Sequence, residues 1–154
     1  MGFLTPEEIE SLQPRLMVLR IIMGALAAAI LVFCAVAFLA KPRPLHWDVG
    51  FFEIFGIGFA AACVVGWFVA PWVMRPTRGV IGETRCEGAQ TALQTQSIMR
   101  GALVEGAAFF NLVFVLQEAS GVNLVVALAC LPFLISLVPF GSSYVRTIER
   151  ILDE

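Results

Sequence analysis

The chain has 154 residues, 59% of them hydrophobic and 14% charged, with a net charge of −2. A mean hydropathy of +0.87 excludes an ordinary soluble domain, which cannot bury that much apolar surface in so small a body. The charge balance leaves no basic face for nucleic acid, so the expected unit is one membrane domain surrounded by the lipid bilayer.

Four apolar segments follow in chain order, at residues 16–40, 50–74, 97–116 and 122–140. Each is about as long as a helix needs to cross ~30 Å of hydrocarbon, and all are too continuously apolar for barrel strands. The expected fold is therefore all-α, an integral membrane four-helix bundle. Thr5-Pro6-Glu7-Glu8 reads as a helix start, with Thr5 as N-cap, Pro6 at the first helical position and Glu8 reaching back. Ile9, Leu12 and Leu16 fall on one side, which predicts a short interfacial helix ahead of Pro14. Pro42 and Pro44 close the first segment, and Pro71 and Pro76 bracket the end of the second. The polar segment 75–96 reads as a solvated cytoplasmic loop whose AQTALQTQ stretch extends the third helix. Pro132 should kink the fourth segment, Pro139 and Gly141 should close it, and 144–154 reads as an amphipathic tail. Ala35-Val36-Ala37 resembles a cleavage site, but the region before it is long and acidic and the apolar run is long, so a retained span is expected.

If all four segments cross, the N-terminus, the middle loop and the C-terminus share one side. That side carries Arg15, Arg20, Arg75, Arg78, Arg85, Arg100, Arg146 and Arg150, against Lys41 and Arg43 on the other. The bias places both termini in the cytoplasm. Trp47, Phe51 and Phe52 would form the outer aromatic belt, and Trp72 and Tyr144 the inner one.

Gly58, Ala62, Gly66 and Ala70 recur at four-residue spacing in the second segment, and Gly24 and Ala28 give a shorter version in the first. Small side chains at that spacing let another backbone approach closely. Packing among the four helices is the first reading, and contact with another subunit the second.

Glu105 is the one carboxylate in the third segment. Seven residues past Ile98, it lies about 10 Å into the hydrocarbon, where a carboxylate costs several kcal/mol unless neutral, paired or wet. Gly101, Glu105 and Ala108 share a helix face, with Ala102 and Gly106 beside it. Arg100 is ~140° around the helix and reads as a snorkelling interfacial side chain. Asn111, ~120° off the Glu105 face, reads as an interhelical hydrogen-bonding residue. Two readings of Glu105 stand. One is a neutral carboxyl bonded to a neighbouring helix; the other is an ion-binding carboxylate that exchanges a proton or Na⁺.

Glu53 and Glu118, near His46, Asp48 and Asn123, read as wet boundary charges. The cysteines, Cys34, Cys63, Cys86 and Cys130, have no CxxC spacing and read as small buried hydrophobes. No GxSxG, HExxH, P-loop or strand-flanked GxGxxG is present, so no catalytic residue, metal ligand set or cofactor is expected.

Residues 85–117, with Arg85 in a polar loop, Glu105 twenty residues on and the run ALVEGAAFFNLVFVL, resemble the second half of the rotary ATP synthase proteolipid, subunit c. In that family the membrane carboxylate carries a proton or Na⁺ and the subunits form a ring. The resemblance implies Glu105 as ion carrier and Arg85 as a loop residue. The loop here reads Arg85-Cys86-Glu87 in place of R-Q-P, and the preceding helix has Gly56, Gly58 and Gly66 rather than a dense glycine repeat. The whole chain resembles small bacterial four-span membrane proteins with an EGAAFFN helix, a resemblance that implies no activity. A small multidrug transporter also has four spans and one membrane glutamate, but in its first span.

The functional expectation is a non-enzymatic interaction or accessory subunit, packed through small-residue faces within a homo-oligomer or larger membrane complex. A proton- or Na⁺-translocating proteolipid-like protein is the alternative.

Overall fold

The computed structural model describes residues 6–40, 44–73, 85–139 and 144–148. Four helices carry the fold: α1 (Pro6–Ala40), α2 (Phe51–Val73), α3 (Arg85–Glu118) and α4 (Gly121–Ser136), and 144–148 add a further helical stretch. No β-ladder beyond one isolated bridge, His46 with Ser120, occurs among the described residues. Three helical stretches are long and apolar enough to cross a membrane: Leu12–Ala40, Phe51–Val73 and Glu87–Glu118. The described residues are thus all-helical, with three helices that suit a membrane by length and composition.

α1 begins at Pro6, where a missing N–H costs nothing; Thr5 lies outside the described residues. The short interfacial helix expected ahead of Pro14 is not a separate element, because α1 runs unbroken through Pro14 to Ala40. Proline here removes a single ladder bond. Leu12, Leu16 and Leu19, on either side of it, are buried against Ala89, Tyr144 and Ile148, so continuous packing holds both halves in register. Tyr144, expected in the inner aromatic belt, is buried in this cluster instead.

α3 starts at Arg85, inside the segment read as a loop, and 89–96 are helical. Its 34 residues give about 50 Å of helix, well over the ~30 Å hydrocarbon thickness. α4 is shorter than its apolar segment, with 16 residues and about 24 Å of length. Leu137 caps it by donating to Leu134 O at 3.1 Å. Pro139 disfavours helical geometry at the residue before it. Pro132 sits inside the helix.

α3 is the central strut. It packs against α1, α2 and α4, whereas α1 and α2 do not touch one another among the described residues. The main core gathers Ile30, Val104, Ala108, Leu112, Leu124, Ala127 and Leu134. The second cluster, around Leu12, Met23, Ala89, Tyr144 and Ile148, brings the start of α1, the start of α3 and the segment after α4 to one end. Arg20 Nε donates to Pro139 O at 2.9 Å at that same end.

At the opposite end the α1–α2 connection is tied to the α3–α4 turn. His46 N–H donates to Ala119 O at 3.1 Å, and Gly121 N–H donates to His46 O at 2.8 Å. Ala119 takes φ 57°, a left-handed conformation that costs a residue with a Cβ roughly 1–2 kcal/mol. A Cβ on Gly121 would come within 2.9 Å of the Trp47 ring, so that glycine lets the loop lie flat on the turn.

Candidate functional site

Neighbours on α3 place Glu105. One turn before it Gly101 is buried, and a Cβ there would lie 3.1 Å from Met23 and Leu26 of α1. One turn after it Phe109 meets Phe33 of α1 edge-on, with centroids 5.2 Å apart. Around the helix, Phe110 packs tilted against both Phe55 and Phe59 of α2, and a Cβ on Gly66 would lie 3.2 Å from Leu103. Between these two contact lines α3 is bare: Ala102, Gly106 and Val113 are exposed. A Cβ on Gly106 would meet nothing within 4 Å. Glu105 is half-buried at the α1 edge of this open strip.

Arg100 does not pair with Glu105. Its Nε donates to Trp67 O at 3.2 Å, and its guanidinium lies 5.3 Å from the centre of the Trp67 ring. It therefore joins α3 to α2 through a cation–π contact and a carbonyl.

The small residues of α2 do not form one packed face. Ala70 is buried and Gly66 half-buried, but Gly58 and Ala62 are exposed, and a Cβ on Gly58 would meet nothing within 4 Å. Four-residue steps rotate ~40° each around a 3.6-residue helix, so the stripe turns from the core toward the outside along its length. Gly24 and Ala28 are likewise not buried in the core.

A second polar locus lies at the end of the bundle near His46, and sequence reasoning missed most of it. Glu53, read as a wet boundary charge, is only 3% exposed. It occupies the first turn of α2 and reaches back, Oε2 accepting from Gly50 N–H at 2.9 Å, in the manner of a capping box. The Ser120 hydroxyl also hydrogen-bonds this carboxylate, and the His46 imidazole lies near enough to act on it electrostatically. Ser120 is the N-cap of α4 and accepts from Asn123 N–H at 3.3 Å. Glu53 thus joins the N-terminal ends of α2 and α4, where backbone N–H dipoles favour negative charge.

Asn111 makes the interhelical bond its position predicts. Its Nδ2 donates to Gly56 O of α2 at 3.3 Å and to Ala107 O at 2.8 Å. The clues to the rest of the cluster are the spacings Gly50-x-x-Glu53 and Ser120-x-x-Asn123, each a local capping pattern. Only the fold brings the two together.

An apolar groove of about 250 Å³ opens between α2, α3 and α4, lined among others by Ile57, Cys63, Trp67, Val104, Cys130 and Phe133. Cys34, Cys63 and Cys130 are free thiols. No protein family, curated protein or solved structure matches this chain.

Proposed function

We propose that this is a non-enzymatic polytopic inner-membrane protein that crosses the bilayer four times with both termini in the cytoplasm. We infer that it serves as an interaction or accessory subunit, docking a transmembrane helix from a second copy or a larger complex on the open strip of α3. The observation that carries this reading is the exposed Ala102–Gly106 pair with half-buried Glu105 at its edge. Helix association in lipid depends on close backbone approach and interhelical hydrogen bonds. An incoming helix with a hydroxyl, amide or carbonyl at the level of Glu105 would supply both. The burial of Tyr144 and Ile148 against the start of α1 supports the even number of crossings, because it returns the chain to the side where α1 begins.

Cysteine cross-linking tests docking. Ala102→Cys, in a background lacking native cysteines, should form a disulfide-linked or reagent-bridged product in native membranes. Adding Glu105→Gln should reduce its yield. A strictly monomeric, unlinked Ala102→Cys protein would sink the docking reading.

The same geometry favours one alternative, proton or Na⁺ translocation through Glu105, because no ion pair to that carboxyl occurs among the described residues and it is not fully enclosed. A hydrophobic carbodiimide should then label Glu105 selectively over exposed Glu118, and Na⁺ or rising pH should suppress the labelling. Loss of ion flux from proteoliposomes on Glu105→Gln would select this alternative; absence of any flux would exclude it.

A further inference from the structure

Four fully or almost fully buried polar side chains, Glu53, Asn111, Ser120 and Asn123, meet where α2, α3 and α4 converge. Their hydrogen bonds do not balance. Glu53 Oε1, Asn111 Oδ1 and Asn123 Oδ1 are buried acceptors with no partner, and the one unpartnered donor in the cluster is Asn123 Nδ2. The orientation of the Asn111 amide follows from its nitrogen, which already donates to two carbonyls, so its oxygen must face the cluster. Ser120 cannot supply the missing donor, because its hydroxyl serves Glu53 while accepting from Asn123 N–H. Among the described residues no Lys or Arg acts on Glu53; His46 is the titratable neighbour.

Gly56 shapes the point of convergence. A Cβ there would lie 2.5 Å from Asn111 Oδ1 and 2.6 Å from Asn123 Oδ1, so two amide oxygens from different helices crowd the bare face of one residue. Glu53 stands one turn away on the same helix. Three buried acceptor oxygens that share the single donor group of the Asn123 amide still repel one another, and each oxygen left unpaired costs about 1–3 kcal/mol. A positive ion turns that repulsion into coordination.

We propose that Glu53, Asn111 and Asn123 form a binding site for one dehydrated monovalent cation of the size of Na⁺, with Gly56 letting the two amide oxygens approach from different helices. Carboxylate and amide oxygens are hard ligands, suited to alkali and alkaline-earth ions rather than to thiol- or imidazole-seeking metals. The single carboxylate balances a single positive charge; a divalent ion would leave net charge buried, which is expensive. Because its ligands come from three helices, the ion would cement the end of the bundle that the His46–Gly121 bridge covers. The site is separate from the α3 strip and does not depend on the docking reading.

The test is thermal unfolding of the purified full chain in detergent, in NaCl, KCl and choline chloride at equal ionic strength. It is paired with ²³Na relaxation measurements and run at one fixed pH. Binding predicts a saturable, Na⁺-preferring rise in the unfolding midpoint and broadening of the ²³Na signal by the protein. Asn123→Ala should weaken the Na⁺ dependence about tenfold or more, and Glu53→Gln should abolish it. Glu118→Gln, at an exposed position on the same side, should leave it intact. Identical midpoints in Na⁺ and choline for the unaltered protein, without ²³Na broadening, would overturn the proposal. The cluster would then be satisfied by an ordered water or by a proton on Glu53. The salt comparison uses the native chain, so it stays decisive even where a variant fails to fold.

Discussion

At the scale of single residues, the most consequential positions are those where one atom more or less decides whether helices meet. Gly56 is the sharpest case. A methyl group there would sit 2.5 Å from Asn111 Oδ1, closer than non-bonded atoms approach, and the asparagine could yield only by giving up its bonds to Gly56 O and Ala107 O. Gly56→Ala should therefore destabilise the protein by about 1–3 kcal/mol, the usual range for overpacking. Gly106→Ala should be nearly neutral in the isolated chain, because nothing lies within 4 Å of the added carbon. Melting curves of the two variants side by side check this contrast. An unchanged midpoint for Gly56→Ala would mean that Asn111 and Asn123 can draw back from the helix without loss.

At the scale of elements, α1 and α3 both run beyond the limits that hydropathy alone suggests. α1 continues through Pro14 because the leucines flanking it are buried on the same neighbours, so tertiary contact outweighs the loss of one backbone bond. Pro14 itself is exposed, and replacing it opens no cavity. Pro14→Ala should restore the missing ladder bond and remove the ring's clash, raising stability by up to about 3 kcal/mol. Thermal melting measures this directly. A loss of stability instead would mean that the helix is bent at that point and uses the bend. α3 makes the most extensive contacts with each of the other three helices among the described residues. Its polar first turns place Ala89 in the terminal cluster with Leu12 and Tyr144, giving that half of the helix its own buried face.

At the scale of the whole molecule, two features act together. A central helix touches three others, and its strip between α1 and α2 stays uncovered. The burial of Tyr144 and Ile148 against the start of α1 ties the C-terminal segment to the N-terminal helix. With the four-crossing arrangement proposed above, single cysteines at Gln13 and Arg146, neither of them buried, should react with an impermeant thiol reagent from the same side of sealed vesicles. A cysteine at exposed Asp48 should react from the opposite side. Labelling of positions 13 and 146 from opposite sides would require an odd number of crossings and defeat that arrangement.

Hydropathy and helical periodicity by themselves determined that the chain is helical and that its long helices suit a membrane. Runs of twenty or more apolar residues have no other stable solution in lipid, where every backbone group must be bonded within its own segment. The same local logic extended the third helix through 89–96 and marked Asn111 as an interhelical hydrogen-bonding residue. It also singled out Glu105 as a carboxylate out of place. What it could not reach was the partner of each polar group. Glu53 lies at the end of an apolar run beside other polar residues, so by sequence it is indistinguishable from a solvated charge. Burial follows from Ser120 and Asn123, sixty-seven and seventy residues away, being carried onto it by the α3–α4 turn. Nor could a stripe of small residues reveal which of its members would be covered, since a four-residue spacing winds around the helix and only neighbouring helices choose a face. The tertiary structure alone decided that α1 and α2 stand apart and leave Glu105 on an open edge. It also decided that three helices bury Glu53, Asn111 and Asn123 at one end of the bundle. Both outcomes depend on how helices pack side by side, which is a property of pairs of surfaces and is written in no single segment.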